Sequence, residues 1–115
     1  GFRNRIAGRV VAFDGDVATI AAGAARIAGR VRGEVAVGAA AVAAVRPDDL
    51  CAVEGEGIAA TVTATEFRGN QFVGFGSAGA GVELSFRAPR RLAAGSTVRL
   101  GADVQRVLVF AEQAA

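Results

Sequence analysis

Along this chain, apolar residues recur at every second position in short runs, and the runs are broken by Gly-, Asp- and Pro-containing segments. A period of two is the mark of half-buried strands. The clearest run is Ile58 to Phe67, where Ile58, Ala60, Val62 and Ala64 fall on one face and Thr61, Thr63 and Thr65 on the other. Val82 to Arg87 alternates just as strictly, predicting one buried and one wet face. Arg5 to Phe13 and Val17 to Ala21 flank Asp14-Gly15-Asp16, which predicts a hairpin. Gly23 to Ala25 is a small-residue turn, and Arg26 to Val31 reads as a third strand with arginines at an exposed edge. Phe72 to Phe75, Thr97 to Leu100 and Val107 to Phe110 complete the strands of the second half.

The segment Ala36 to Val45 is Ala-rich and could propagate a helix. Gly38 interrupts it, however, and no Leu or Met stripe appears at helical spacing, so a strand ending at Val45 is the better reading. That strand stops at Arg46-Pro47, because proline lacks an N–H and pushes its predecessor towards an extended conformation. Asp48 and Asp49 are then expected to accept backbone N–H groups as turn or cap residues. The second half closes similarly, from Val98 through Asp103-Val-Gln-Arg106 to Val107. Ile6-Ala-Gly-Arg-Val10 resembles Ile58-Ala-Ala-Thr-Val62, so the halves also open alike. The order predicts an internal duplication, with a first β unit over 1–54, a second over 55–115, and a boundary at Glu54-Gly-Glu-Gly57.

Composition agrees with an all-β reading. Val far outnumbers Leu, and 7 Phe and 16 Gly accompany it in 115 residues. The 13 basic residues are all Arg, against 11 acidic ones, and no Arg run exceeds two. With neither Tyr nor Trp to stack on bases, nucleic acid is not an expected partner. A single Cys excludes an internal disulfide and mildly favours the cytoplasm. No apolar run approaches membrane-spanning length. The chain lacks Met even at position 1 and is read as a piece of a longer protein.

Candidate chemistry is sparse. With no His and a single Cys, zinc centres and Ser-His or Cys-His nucleophiles are excluded, and without Lys so is a phosphate loop of the G-x-x-x-x-G-K type. Gly74-Phe-Gly76-Ser-Ala-Gly79 matches G-x-G-x-x-G, but strand alternation resumes at Val82 and leaves no room for the helix a dinucleotide site needs. It reads as a Gly-rich hairpin loop. The acidic pairs Asp14/Asp16, Asp48/Asp49 and Glu54/Glu56 sit in turn-like segments suited to solubility and capping. The turn Arg68-Gly69-Asn70-Gln71 offers a cation, backbone N–H groups and two amides, which could meet an oxyanion.

Val45-Arg-Pro-Asp-Asp-Leu50, Phe67-Arg-Gly-Asn70 after a long strand, Val82 to Ala88, Ala94-Gly-Ser-Thr-Val98 and Arg106-Val-Leu-Val-Phe110, in that order, resemble the transport-associated OB (TOBE) domain. The likeness starts at Phe2-Arg-Asn4-Arg-Ile6, which looks like the family's opening strand. It departs at Asp103-Val-Gln-Arg-Val107, where the family often has Asp-Pro-Glu-Arg-Val, so this turn is expected to be less rigid. The loop Ser77 to Gly81 is also unusually rich in Gly and Ala.

The resemblance implies an OB-like small barrel or duplicated MOP-like β units with little helix. It implies a non-catalytic regulatory domain of the ATP-binding subunit of a bacterial ABC importer for spermidine/putrescine, iron, sulfate or sugars. The expected partners are then an N-terminal nucleotide-binding domain of the same chain, a second copy of the subunit and a membrane permease. The place is the cytoplasmic face of the membrane. ATP and Mg would belong to the preceding domain, with no cofactor here. Arg46, Asp48, Asp49, Arg68, Asn70 and Gln71 are the candidate ligand or partner contacts. The alternative is a free-standing small oxyanion-binding protein of the molybdate type, which shares the duplicated plan.

Overall fold

The computed structural model describes residues 4–23, 25–79 and 82–112. The first residues of the opening strand (Phe2, Arg3), Ala24 of the small-residue turn, and Ala80 and Gly81 of the Gly/Ala-rich loop lie outside the described residues. The described chain forms β1 (Asn4–Asp14), β2 (Val17–Ala22), β3 (Ala25–Val31), β4 (Ala40–Val45), β5 (Cys51–Ala52), β6 (Ile58–Arg68), β7 (Gln71–Ala78), β8 (Val82–Ala88), β9 (Thr97–Gly101) and β10 (Val107–Ala111). Two single 3-10 turns, Pro47–Asp49 and Val104–Arg106, precede β5 and β10. The all-β expectation holds, and the Ala-rich segment is strand β4.

The strands close into two barrels, β1-β2-β3-β10-β4 and β5-β8-β7-β6-β9. The barrels do not follow the chain. β5, which ends the first half, runs parallel to β8 and antiparallel to β9; β10, which ends the second, runs parallel to β3 and antiparallel to β4. Each half therefore contributes four strands to one barrel and lends its closing strand to the other. This exchange removes sheet edges from both barrels and ties them together covalently.

The duplication extends to details. β1 bulges between Val10 and Ala12 as it pairs with β2, and β6 bulges between Val62 and Ala64 as it pairs with β7. At each bulge a backbone bracket forms. The Val10 N–H donates to the Ala39 carbonyl at 3.1 Å and Gly38 donates to Val10 at 2.8 Å. Val62 donates to Ser96 at 2.8 Å and Gly95 to Val62 at 2.7 Å. Gly38 and Gly95 both hold a positive φ (88° and 91°), a conformation that strongly favours glycine. An extra residue bends a strand sharply, which is how a five-stranded sheet of this size closes.

The bulge also corrects an expectation. Strict alternation places Ala64 inside, but Ala64 is exposed and Thr65 is the half-buried residue. The inserted residue flips the faces of everything after Val62. Thr65 Oγ1 donates to the Leu92 carbonyl at 3.1 Å and accepts the Leu92 N–H at 3.2 Å, pinning the loop after β8.

The first interior is built from Ile6, Val10, Ile20, Ile27 and Val45 together with Val107 and Val109 of β10. The second has Ile58, Val62, Leu84, Phe86 and Leu100, with Leu50 entering just ahead of β5. Burying each such side chain is worth about 1.5–3 kcal/mol.

Candidate functional site

The residues singled out by sequence lie at the end of the second barrel where the first 3-10 turn meets the β6–β7 hairpin. Arg46 is extended (φ −76°, ψ 148°), as the residue before Pro47 should be. The turn is closed by backbone alone: the Asp49 N–H donates to the Arg46 carbonyl at 2.9 Å and the Leu50 N–H to Pro47 at 3.3 Å. No side chain caps it, which corrects the expectation for Asp48 and Asp49. The cap position is held by Arg46, which has no acceptor on its side chain. Freed from that role, Asp48 accepts from the Gln71 amide at 3.5 Å.

The second 3-10 turn solves the same problem differently. Asp103 occupies the cap position and its carboxylate accepts the Gln105 N–H at 2.9 Å. At Asp103-Val-Gln-Arg-Val107 a side-chain cap holds the turn.

The β6–β7 turn is a two-residue connection, Gly69-Asn70, between the paired Arg68 and Gln71. Gly69 carries the positive φ (68°) and Asn70 does not, the pattern of a type II′ turn. Arg68 is half-committed: it pairs with Glu66 at 3.0 Å on the open surface and its guanidinium lies 5.7 Å from the Phe75 ring centroid. Arg46 and Asn70 are exposed, Asp49 is half-buried, and no side-chain hydrogen bond joins these three to another described residue. The structure thus brings Asp48 and Gln71 together and leaves Arg46, Asp49, Arg68 and Asn70 on the same rim without a common focus.

Around this rim lie residues that the sequence reading did not place among the candidate contacts. Phe67 packs edge-on against Phe72 with centroids 5.1 Å apart, and is itself 56% exposed. Arg91 lies 5.4 Å over Phe72 and donates to the Thr65 carbonyl at 3.2 Å. Cross-strand aromatic pairs and guanidinium–aromatic contacts stiffen such an arm by about 0.5–1.5 kcal/mol each. The pairing Phe67↔Phe72 follows once the Gly69-Asn70 turn is counted, so the signal was present.

The Gly-x-Gly-x-x-Gly match resolves into packing. Gly74 and Gly76 lie inside β7, and only Gly79 is in the following turn. A Cβ on Gly74 would stand 2.4 Å from atoms of the Phe86 ring, and one on Gly76 3.0 Å from the Thr61 carbonyl oxygen. These glycines admit a ring and a neighbouring strand. The next element among the described residues is strand β8, not a helix that could hold a pyrophosphate. Among the described residues, no group of three or more Cys, Asp or Glu side chains is placed to hold a metal.

No curated protein matches the chain. The family model of the TOBE domain matches residues 43–110. That span starts within β4, runs through both 3-10 turns and the whole of the second barrel, and ends in the exchanged strand β10. Since the match covers more than half of the 115 residues, the chain belongs to the TOBE domain family.

Proposed function

We propose that this chain is a non-catalytic regulatory domain of a bacterial ABC importer, the accessory part of its ATP-binding subunit. The observation that carries this reading is the family match across residues 43–110. The residue chemistry supports it: with no His and no Lys, the chain has neither the usual general base nor a phosphate-loop lysine. ATP and Mg would therefore be held by a nucleotide-binding domain N-terminal to these residues, and the two exchanged barrels would serve as a rigid spacer against a second copy of the subunit. Such a subunit would work at the cytoplasmic face of the membrane beside its permease. The rim of Arg46, Asp48, Asp49, Arg68, Asn70 and Gln71, with its projecting hairpin, is the surface for partner or substrate contact in this reading.

The test is a comparison of the full ATPase subunit with and without this domain. Deletion should leave nucleotide binding intact and weaken dimerisation or its control by substrate, while the 115-residue chain alone should show no saturable ATP binding by calorimetry. Tight ATP binding by this chain would refute the assignment. The duplicated pair of barrels keeps a second reading in play, a free-standing oxyanion-binding protein. Titration with molybdate, sulfate and phosphate decides between the two, because stoichiometric, tight oxyanion binding by the isolated chain favours the second.

A further inference from the structure

Asn4 is the one buried polar residue among the described residues, and it joins the two barrels. Its Nδ2 donates to the Ser85 carbonyl at 2.8 Å, and its Oδ1 accepts the Ser85 N–H at 2.8 Å. Two residues further along β1, the junction opens into a cavity of about 470 Å³. It lies between the β2–β3 turn of the first barrel and the β7–β8 turn of the second. Ile6, Ile58 and Leu84 are buried and form its floor. Ala22 and Ala25 on one side and Ala78 and Val82 on the other are half-buried walls. Ala7, Ala59, Gly23 and Gly79 stand exposed at its mouth.

Both halves build this space in the same way. Strand pairing equates Ala22 with Ala78 and Ala25 with Val82, as it equates Ile6 with Ile58. Elsewhere a small residue is answered by a large one: a Cβ on Gly74 would stand 2.4 Å from the Phe86 ring, and one on Gly29 2.6 Å from Val107. Here the small residues of the two halves line one space together, and a Cβ on Gly23 or Gly79 would meet nothing within 4 Å. Interiors pack at near-crystalline density, so an apolar space of this size between two packed barrels is complete only with a further group in it.

The lining states what that group is. All eleven described residues around the cavity are Ala, Gly, Ile, Leu or Val, and Ala24, Ala80 and Gly81 add no polar side chain to the two turns. A charged group would lose its water there and gain no partner. A docked polypeptide needs a polar rim around its apolar contact, and the mouth is made of Ala and Gly alone. We propose that this cavity is a binding site for a small neutral apolar molecule, a hydrocarbon ring or branched chain taken up between the barrels. The bound molecule touches both barrels and stiffens their junction. This assignment depends on neither the transport reading nor the oxyanion one.

Titration of the 115-residue chain, ¹³C-labelled at its methyl groups, tests it with toluene against benzoate and benzylammonium. Toluene should move the Ile6, Ile58, Ala22 and Ala78 methyl signals saturably and raise the thermal midpoint, since it binds the folded chain alone. The two charged analogues should bind more weakly by about tenfold or more. The Val42 methyls, in the separate cavity beside Arg5 and Phe110, should stay unmoved. Ala22→Leu and Ala78→Leu, on opposite walls, each put a side chain into the space and should each abolish the response at Ile6 and Ile58. Toluene shifts that do not saturate, that reach Val42 equally or that survive both fillings overturn the proposal. So does a charged analogue that binds as tightly as toluene. The native titration with its charged controls is sufficient for that outcome if a variant does not fold.

Discussion

The two barrels share one backbone plan and fill it in opposite ways. In the second, bulk comes from β8: Phe86 is fully buried, and β7 makes room for it with Gly74. In the first, the position of Phe86 is taken by Gly29, whose Cβ would stand 2.6 Å from Val107 Cγ1, and the position of Gly74 by Ala18. A second pair is inverted too. Gly8 of β1 yields to Ile20 of β2, with 2.5 Å between a Cβ there and Ile20 Cγ2, whereas in the second barrel Ala60 faces Gly76. Interiors pack at near-crystalline density, so a volume gained on one strand must be given up on its neighbour. Duplicated backbones can thus diverge in sequence without diverging in shape, provided the changes come in compensating pairs.

The sharpest way to break this comparison is at Phe86. Phe86→Ala should cost about 3–5 kcal/mol, since the ring is wholly buried and β7 has no side chain at Gly74 to collapse into the space. Gly74→Ala alone should cost about 1–3 kcal/mol by overpacking. Together they should cost clearly less than their sum, because each removes the other's fault. Urea midpoints of the native chain, the two single variants and the double variant measure this, and strict additivity would show that the two sites do not share one volume.

Most of this architecture was legible in the pattern of the chain. Strand periods ahead of the bulges, the turns at Gly15, Gly23 and Gly69 and the Arg46-Pro47 stop are local physics and are found where the pattern puts them. Gly74 and Gly76, read as part of a loop, lie inside β7 instead. What was not legible is non-local. Nothing in Cys51-Ala52 or Val107–Ala111 says that each strand leaves its own half, because a short apolar strand fits either barrel equally well. The bulge at Thr63 is silent as well, since it inverts faces without changing residue types, and so simple alternation puts the inward Thr65 on the wrong side. The candidate rim was only partly readable: the turn at Gly69-Asn70 was evident, but the contact of Asp48 with Gln71 depends on how the first 3-10 turn docks against the hairpin. Asn4 does offer a signal in the sequence, a polar residue two places before Ile6 on the inward face of β1.

Asn4 carries the next largest effect. Asn4→Ala leaves the Ser85 N–H and C=O without partners between the barrels, at a cost of about 1–3 kcal/mol. Asn4→Asp keeps the acceptor and loses the donor, so it should fall on the destabilised side as well. Thermal unfolding followed by amide exchange at Ser85 reads both. An Asn4→Ala chain as stable as the native one would mean that the exchanged strands alone unite the barrels.

The smallest effects separate the two hairpin ends, and they do so by kind. Thr65 in the second barrel stands where the first has Phe13, which is 40% exposed. Thr65→Val keeps the shape and removes both hydrogen bonds to Leu92, so it should cost about 1–2 kcal/mol and raise the exchange rate of the Leu92 amide. Phe13→Thr should change stability by no more than about 0.5 kcal/mol, since an exposed ring at a hairpin end has little burial to lose. Arg68→Ala should be comparably mild, because its pair with Glu66 is open to solvent on both sides (61% and 54% exposed) and water screens it. If Arg68→Ala instead costs as much as Thr65→Val, the contact with Phe75 is holding the arm, and the projecting hairpin is stiffened by its arginines rather than by Thr65.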